Sequence, residues 1–341
     1  MDQHSKTLAV DRWLLAATLG IMLLVAEPVQ AAAAADRNSS DAPAFPMRPI
    51  RLVVTFPPGG GTDILARIIG AQLNDAWREQ VVIDNRPGAS GNIGADIVAQ
   101  AAPDGYTLLM VNSTFAMNAG LYAKLPFDSA RDFTAVARVA STSGIVAAHP
   151  SLNVRTIDEL LAVARARGGS LPYSSCGSGT PQHLSGELLK FMAKVSMVHV
   201  PYKGCAPALA DGLAGQVPVI FNTVPNVMPH ARAGRLTALA VTSGKRFALE
   251  PDLPAVAESG LKGYDVDQWF AVLGPAGMPS PIVDKLNREI VRIVNARSMR
   301  DRLTSQHFVP SPSSPSELTT VLRDDIARWS RLIKQIGIRV D

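Results

Sequence analysis

The sequence predicts an α/β protein built as two lobes, each a sheet flanked by helices. Three observations carry this. Strand-like and helix-like runs alternate from Ile50 onward, the pattern of βαβ units around a parallel sheet. Glycine-rich polar loops stand at several strand-to-helix junctions. The chain has 341 residues, 47% hydrophobic and 18% charged, which suits two packed domains and not a disordered chain.

The N-terminus reads as a signal peptide over residues 1–35. Lys6 and Arg12 lie in a polar n-region, Leu14 to Ala26 is an uninterrupted apolar run, and Ala31 to Ala35 offers small-residue cleavage sites. The apolar run is short for a membrane span of roughly 20 residues, and an uncleaved anchor is the alternative. Residues 36–46, DRNSSDAPAFP, read as a flexible lead-in. Cleavage near Ala32–Asp36 removes two basic and three acidic residues, so the formal charge moves from +4 to +5. That mild balance suits anionic ligands. No Lys/Arg run with interleaved aromatics points to nucleic acid.

The run IRLVVTF predicts the first strand. A helix follows from Thr62 to Trp77, with Ile64, Leu65, Ile68, Ile69 and Leu73 on one face. Val81 to Ile83 is the second strand, NRPGASGNIG a second glycine-rich loop, and a helix then runs to about Ala101. PDG turns the chain into a strand over Tyr106 to Val111. The second half predicts helix Ile157–Ala166, strand Pro172–Ser175, helix Gln182–Ala193, strand Met197–Val200 and helix Ala206–Ala214. Strands Val217–Phe221 and Thr237–Ser243 follow, and helices return at Ile282–Val294 and Ser316–Ile336. Crossovers between lobes are expected near Ser141–Ala148 and Asp267–Val272. A cleft between the lobes is then lined by loops at the carboxyl ends of the strands.

Familiar catalytic motifs are missing. PPGGGTD lacks the Gly-Lys-Ser/Thr ending of a phosphate-binding loop, and Gly88, Gly91 and Gly94 are spaced evenly by three instead of as G-x-G-x-x-G. There is no G-x-S-x-G elbow, H-E-x-x-H or C-x-x-C, and the six histidines are scattered, so neither a metal nor a cofactor is expected. What remains is a set of small polar loops at helix starts: FPPGGGTD, NSTFAMN, CGSGTPQH and PYKGCAP. Glycine lets backbone amides approach a ligand, and free N–H groups at a helix start attract a carboxylate. Each loop taken alone also reads as a tight turn; four in one chain point to a shared anion cleft.

The candidate binding residues are Phe56, Pro58, Gly60, Gly61, Thr62 and Asp63 in the first loop. Asn112, Ser113 and Thr114 follow in the second, and Ser178, Gly179, Thr180 and His183 in the third. Tyr202 and Lys203 come from the fourth, and Asn222 from the strand after it. Asp63 reads more readily as a helix cap than as a base, and His183 as a capping or packing residue as readily as a ligand contact. Lys203 is the one cationic side chain in these loops. Cys176 and Cys205 read first as small buried thiols; in an exported protein a disulfide is the alternative, since both follow strands expected to be neighbours.

These residues together resemble the periplasmic receptors of tripartite tricarboxylate transporters, the Bug-type solute-binding proteins. The segments that carry the likeness include RPIRLVVTFPPGGGTDILAR, DNRPGASGNIGADIVAQAAPDGYTLLM, GSGTPQHLSGELL, MVHVPYKGCAPALADGLAGQV and GPAGMPSPIVDKLN, in order from Pro46 to the C-terminus. The resemblance implies a two-lobed Venus-flytrap fold without enzymatic activity, with residues 47–145 and 270–341 in lobe 1 and 146–269 in lobe 2. It implies a monomer that holds a small carboxylate between the Phe56–Asp63 and Ser174–Thr180 loops and works with membrane permease subunits. A receptor reporting to a sensor kinase is the first rival, an enzyme acting on a carboxylic acid the second. Where the family commonly has Phe-Asp after GQV, this chain has Asn222, which speaks against an ammonium-bearing ligand.

Overall fold

A computed structural model describes residues 45–338 of the chain; the signal-peptide assignment lies outside the described residues. The first half contains β1 (Ile50–Val54), α1 (Gly61–Trp77), β2 (Val81–Asn85), α2 (Asn92–Ala99), β3 (Thr107–Asn112), α3 (Thr114–Leu121) and the long β4 (Phe133–Ala148). Then come α4 (Ile157–Ala166), β5 (Pro172–Ser175), α5 (Pro181–Ala193), β6 (Val198–Pro201), α6 (Cys205–Leu213), β7 (Val219–Thr223), α7 (Val224–Arg232) and β8 (Thr237–Val241). The chain closes with β9 (Asp267–Pro275), α8 (Ser280–Asn295), α9 (Arg297–Ser305), β10 (Val309–Pro310) and α10 (Pro315–Ile336).

The strands run in the order β2-β1-β3-β9-β4-β7-β5-β6, with β8 and β10 each paired to β4. β1 pairs in parallel with β2 and β3, as a βαβαβ series requires, and β9 adds antiparallel to β3. β4 belongs to both lobes. Phe133–Ser143 pairs with β9, whereas Gly144–Ala148 pairs with β7, and β5 and β6 extend that second sheet in parallel. The changeover at Ser143/Gly144 and the return at Asp267 are the two strand crossings between lobes.

Each sheet is covered on both faces. In the first lobe, Leu52, Val54, Leu65, Ile69, Leu286 and Ile290 bury one face, and Val53, Val98, Leu109, Phe115 and Ala271 the other. In the second lobe, Val146, Tyr173, Leu184 and Phe221 pack on one side and Ile145, Ile220, Val227 and Val241 on the other. α8 shows why such segments are helical: Val283, Leu286, Ile290, Ile293 and Val294 recur at helical spacing and are its buried residues. α10 starts at a capping box between Ser314 and Glu317 with Pro315 in the first turn, and stops at Gly337 in the left-handed conformation. Its Trp329 and Ile333 join Met117 and Leu121 of α3 in the core that also holds Tyr173 and Leu184. Its Leu318 and Leu322 join the core of Val53, Leu109 and Phe115.

Candidate functional site

The carboxyl ends of the strands of the two lobes face each other, and a cavity of about 60 Å³ lies between them. From the first lobe its wall comes from Phe56–Pro58, Gly60–Thr62, Asn112 and Phe270. From the second it comes from Cys176, Thr180, Gln182, Thr223 and Lys203–Pro207. A larger, more open chamber of about 660 Å³ adjoins it, and Phe56, Pro57, Cys176, Thr180, Lys203 and Gly204 line both.

The first loop is held from behind. Gly60 ends the extended approach to α1 and offers no side-chain cap, so the first amides of the helix are left without one. Asp63, 3% exposed, turns away from the cavity. Its carboxylate accepts from the Gly59 N–H at 3.0 Å, Asn85 Nδ2 at 2.9 Å and Arg67 Nε at 3.0 Å. Burial would raise this carboxyl, but bonds from Arg67, the Gly59 amide and Asn85 outweigh it and hold it below the usual carboxylate range. Asn85 also donates to the Phe56 carbonyl at 3.0 Å, so one network fixes the loop from Phe56 to Asp63. At the cavity floor Asn112 Nδ2 donates to Thr62 Oγ1 at 3.2 Å, which orients the Thr62 hydroxyl.

Two loops of the second lobe oppose it. Thr180 caps α5, its hydroxyl oxygen accepting from the His183 N–H at 3.3 Å and its hydroxyl donating to the Gly177 carbonyl at 2.7 Å. Gly204 precedes α6 with φ 126° and brings no side-chain cap, so the first amides of α6 stand uncapped where Cys205 and Ala206 line the wall. The two loops are joined by a disulfide between Cys176 and Cys205, with Cα atoms 4.2 Å apart. The structure thus contains the bridge and not the pair of buried thiols; β5 and β6 are parallel neighbours, which puts the residues after them within bonding reach. The lobes touch across the cleft: Ser90 Oγ donates to the Ser178 carbonyl beside the outer chamber, and at the inner cavity Gln182 Nε2 donates to Gln268 Oε1 at 3.3 Å.

Of the residues singled out in the sequence, Phe56, Pro58, Gly60, Gly61, Thr62, Asn112, Thr180 and Lys203 meet at the inner cavity, and Ser178 and Tyr202 line the outer chamber. Ser113, Thr114, Gly179, Asp63, His183 and Asn222 line neither. His183 is 6% exposed, accepts from the Gly179 N–H at 3.1 Å and stacks on His199 with ring centroids 4.0 Å apart. Burial, then the Lys190 charge, pulls it down to about 4, the behaviour of a packed neutral histidine. Asn222 turns toward its own lobe: Nδ2 donates to the Cys205 carbonyl at 3.0 Å, and Oδ1 accepts from Thr223 N and Asn226 Nδ2.

Sequence reasoning missed Thr142, Gln182, Thr223, Gln268, Phe270 and Phe308 as wall residues. Thr142, Gln268 and Phe270 belong to the two crossing strands, and only the lateral pairing of β4 with β9 brings them to the cleft. Gln182 had a signal, one residue past the Thr-Pro start of a helix. The wall carries amides, hydroxyls and apolar groups; among its residues Lys203 is the sole ionisable side chain. Such a lining accommodates an anion and offers no carboxylate to neutralise a cation.

Known proteins share this fold. Residues 65–338 match the family described as the tripartite tricarboxylate transporter family receptor. The chain is 33% identical over 298 residues to BugT of Bordetella pertussis, covering 87% of this chain and 91% of that protein. The structure of R. palustris Rpa4515 with adipate superposes with a TM-score of 0.83 at 38% identity, covering 86% of this chain and 99% of that one. MatC from Rhodopseudomonas palustris with bound malate gives a TM-score of 0.79 at 31% identity, over 85% and 100% of the two chains. With the two-lobed periplasmic-binding-protein fold and the interlobe cavity in place, these matches settle the family: the chain belongs to the receptors of the tripartite tricarboxylate transporters.

Proposed function

We propose that this protein is an exported receptor that captures a small organic carboxylate in its interlobe cavity and presents it, as a monomer, to the membrane permease subunits of a tripartite transporter. One observation carries the reading. The cavity wall is made of the uncapped starts of α1 and α6, hydroxyls and side-chain amides, with no acidic group and with Lys203 on its rim. Backbone amides and hydroxyls hold a carboxylate without a fixed counter-charge. The relatives that carry adipate and malate support the same ligand class.

The receptor binds and does no chemistry on its ligand. Asp63, the one carboxylate in the first loop, is consumed by three hydrogen bonds, and His183 is buried against His199. Closure of the lobes supplies the signal to the permease, and the hydrogen bond from Ser90 Oγ to the Ser178 carbonyl is one contact across the cleft that closure would make.

The test is a thermal-shift screen of mono- and dicarboxylates, each beside its uncharged amide, with the compound recovered and weighed by mass spectrometry. Binding to the folded state stabilises by RT ln(1 + [L]/Kd), about 2.7 kcal/mol at a hundredfold excess over Kd. At least one acid should raise Tm while its amide does not, and should be recovered unchanged. Conversion of the compound, or equal shifts with acid and amide, contradicts the proposal.

A further inference from the structure

We infer that the Cys176–Cys205 disulfide positions the carboxylate site, so that ligand affinity is coupled to the oxidation state of this pair; the inference rests on the carboxylate reading above. Both cysteines line the inner cavity, and Cys176 also borders the outer chamber, so the bridge is part of the wall that a ligand meets. It stands just past the point where the sheet stops organising these loops. The last register pair of β5 and β6 is Ser175 with Pro201, and the last backbone bond between the strands runs from the Tyr202 N–H to the Ser175 carbonyl at 3.2 Å. Beyond it the disulfide is the covalent tie between the loop that leads to α5 and the start of α6.

What lies next to the bridge has little conformational preference of its own. Gly177, with φ 132°, follows Cys176, and Gly204, with φ 126°, precedes Cys205. Glycine visits these angles without penalty but also leaves them easily. The two ends differ in anchorage. The Cys205 carbonyl accepts from Asn222 Nδ2 at 3.0 Å, which fastens the start of α6 to β7. Within residues 176–180 the hydrogen bonds are local, Gly177 N to Ser175 Oγ at 3.2 Å and Thr180 Oγ1 to the Gly177 carbonyl at 2.7 Å; outward ties are that of Ser175 Oγ to His199 Nε2 at 2.7 Å, before the bridge, and that of Ser90 Oγ to the Ser178 carbonyl across the cleft. The bridge therefore ties a loop with few bonds to its own lobe to a helix start that Asn222 fastens to β7. Releasing it frees residues 176–180 more than 204–207. The freed segment carries Thr180 of the inner wall and the Ser178 carbonyl that meets Ser90 across the cleft.

Reduction by dithiothreitol is a balanced exchange. One reagent thiolate attacks a cystine sulfur, the Sγ–Sγ bond breaks to a mixed disulfide, and the second reagent thiolate displaces the other cysteine. Two electrons and two protons pass to Cys176 and Cys205, and the reagent leaves as its cyclic disulfide. Coupling is reciprocal: if the oxidised protein binds a ligand tenfold more tightly than the reduced one, saturating ligand makes the disulfide harder to reduce by 29.6 mV.

The experiment uses the mature chain, oxidised and dithiothreitol-reduced, with circular dichroism showing that both are folded. Hydrogen exchange without ligand should speed up about tenfold or more at residues 176–180 on reduction and stay unchanged at 56–63. Adipate should bind the reduced protein at least tenfold more weakly, C176S/C205S should match the reduced protein, and adipate should shift the reduction midpoint by the corresponding voltage. Equal exchange at 176–180 in both states, or equal adipate affinity, overturns the inference. So does loss of protection throughout β1 and β3, because the bridge would then hold the fold and not the loop. If adipate binds neither form, the carboxylate reading fails for that acid, and the exchange measurement still decides the positioning role.

Discussion

Replacing Asp63 separates a strut from a ligand contact. Its carboxylate takes three donors, and each has a second resort when the acceptor is removed. Gly59 lies at the surface and its N–H can meet water, Asn85 retains the Phe56 carbonyl, and Arg67 is 54% exposed. No donor is stranded in the core. The Arg67 contribution is discounted to a few tenths of a kcal/mol because solvent screens it. The Gly59 and Asn85 bonds to a charged acceptor contribute about 1.5–3 kcal/mol each before the recovered cost of burying the carboxylate is subtracted. The balance for Asp63→Ala is about 2 kcal/mol. At about 2.1 cal/mol/K per residue, roughly 300 residues give about 0.6 kcal/mol per degree, so Tm should fall by about 3 °C. Asp63→Asn should fall nearly as far, since it loses the charge and turns an NH2 group toward donors. Calorimetry on both variants is the assay. Asp63→Asn as stable as wild type would show that the Asp63 charge does not hold the loop.

Four further outcomes follow. Gly60 lines the cavity with an ordinary extended φ of −86°, and an added Cβ would meet nothing nearer than the Pro57 carbonyl oxygen at 3.9 Å. Gly60→Val should therefore fold normally by circular dichroism and lose at least tenfold in carboxylate affinity by calorimetry. Thr62→Ala should weaken binding roughly tenfold to a hundredfold, the loss of one hydrogen bond to a charged group, whereas Ser178→Ala, whose contribution across the cleft is a carbonyl, should change it little. His183, lowered to about 4, binds its proton more readily unfolded than folded; its stabilisation is complete above about 6.5 and fades as pH falls toward 4, by at most about 1.4 kcal/mol per pH unit. Asp267, raised by burial to about 6, acts in the opposite direction there, so the readout is the difference in Tm between His183→Gln and wild type, which should narrow as pH falls from 7 to 4.5. Intact mass of the exported protein should show a start near Ala32–Asp36.

Much of the fold was readable because its helices are amphipathic and its strands end in turn chemistry. Helix Ile157–Ala166 and strand Pro172–Ser175 have the bounds that their patterns predict, and α1 begins one residue earlier than expected, at Gly61. The unread parts have physical causes. TFAMNAGL shows no amphipathic period, because α3 is buried with its polar Thr114 and Asn118 inside as well, so the pattern gives a loop. α7 contains Pro225 in its first turn and Pro229 within it, and prolines read as breaks. β4 carries five alanines, weak strand formers, among its sixteen residues and is held as a strand by partners on both sides. In the site, residues on strand-to-helix loops announced themselves through glycine and proline. Thr142, Gln268 and Phe308 come from strands and a turn that meet only in three dimensions.

We propose that a carboxylate group is what the interlobe cavity holds. Calorimetric titration of wild-type protein with the acid giving the largest thermal shift, beside its amide, tests this most directly. One site per chain is expected for the acid and no measurable heat for the amide, because the cavity offers donors and no acidic partner. Amide binding as tight as that of the acid would contradict it.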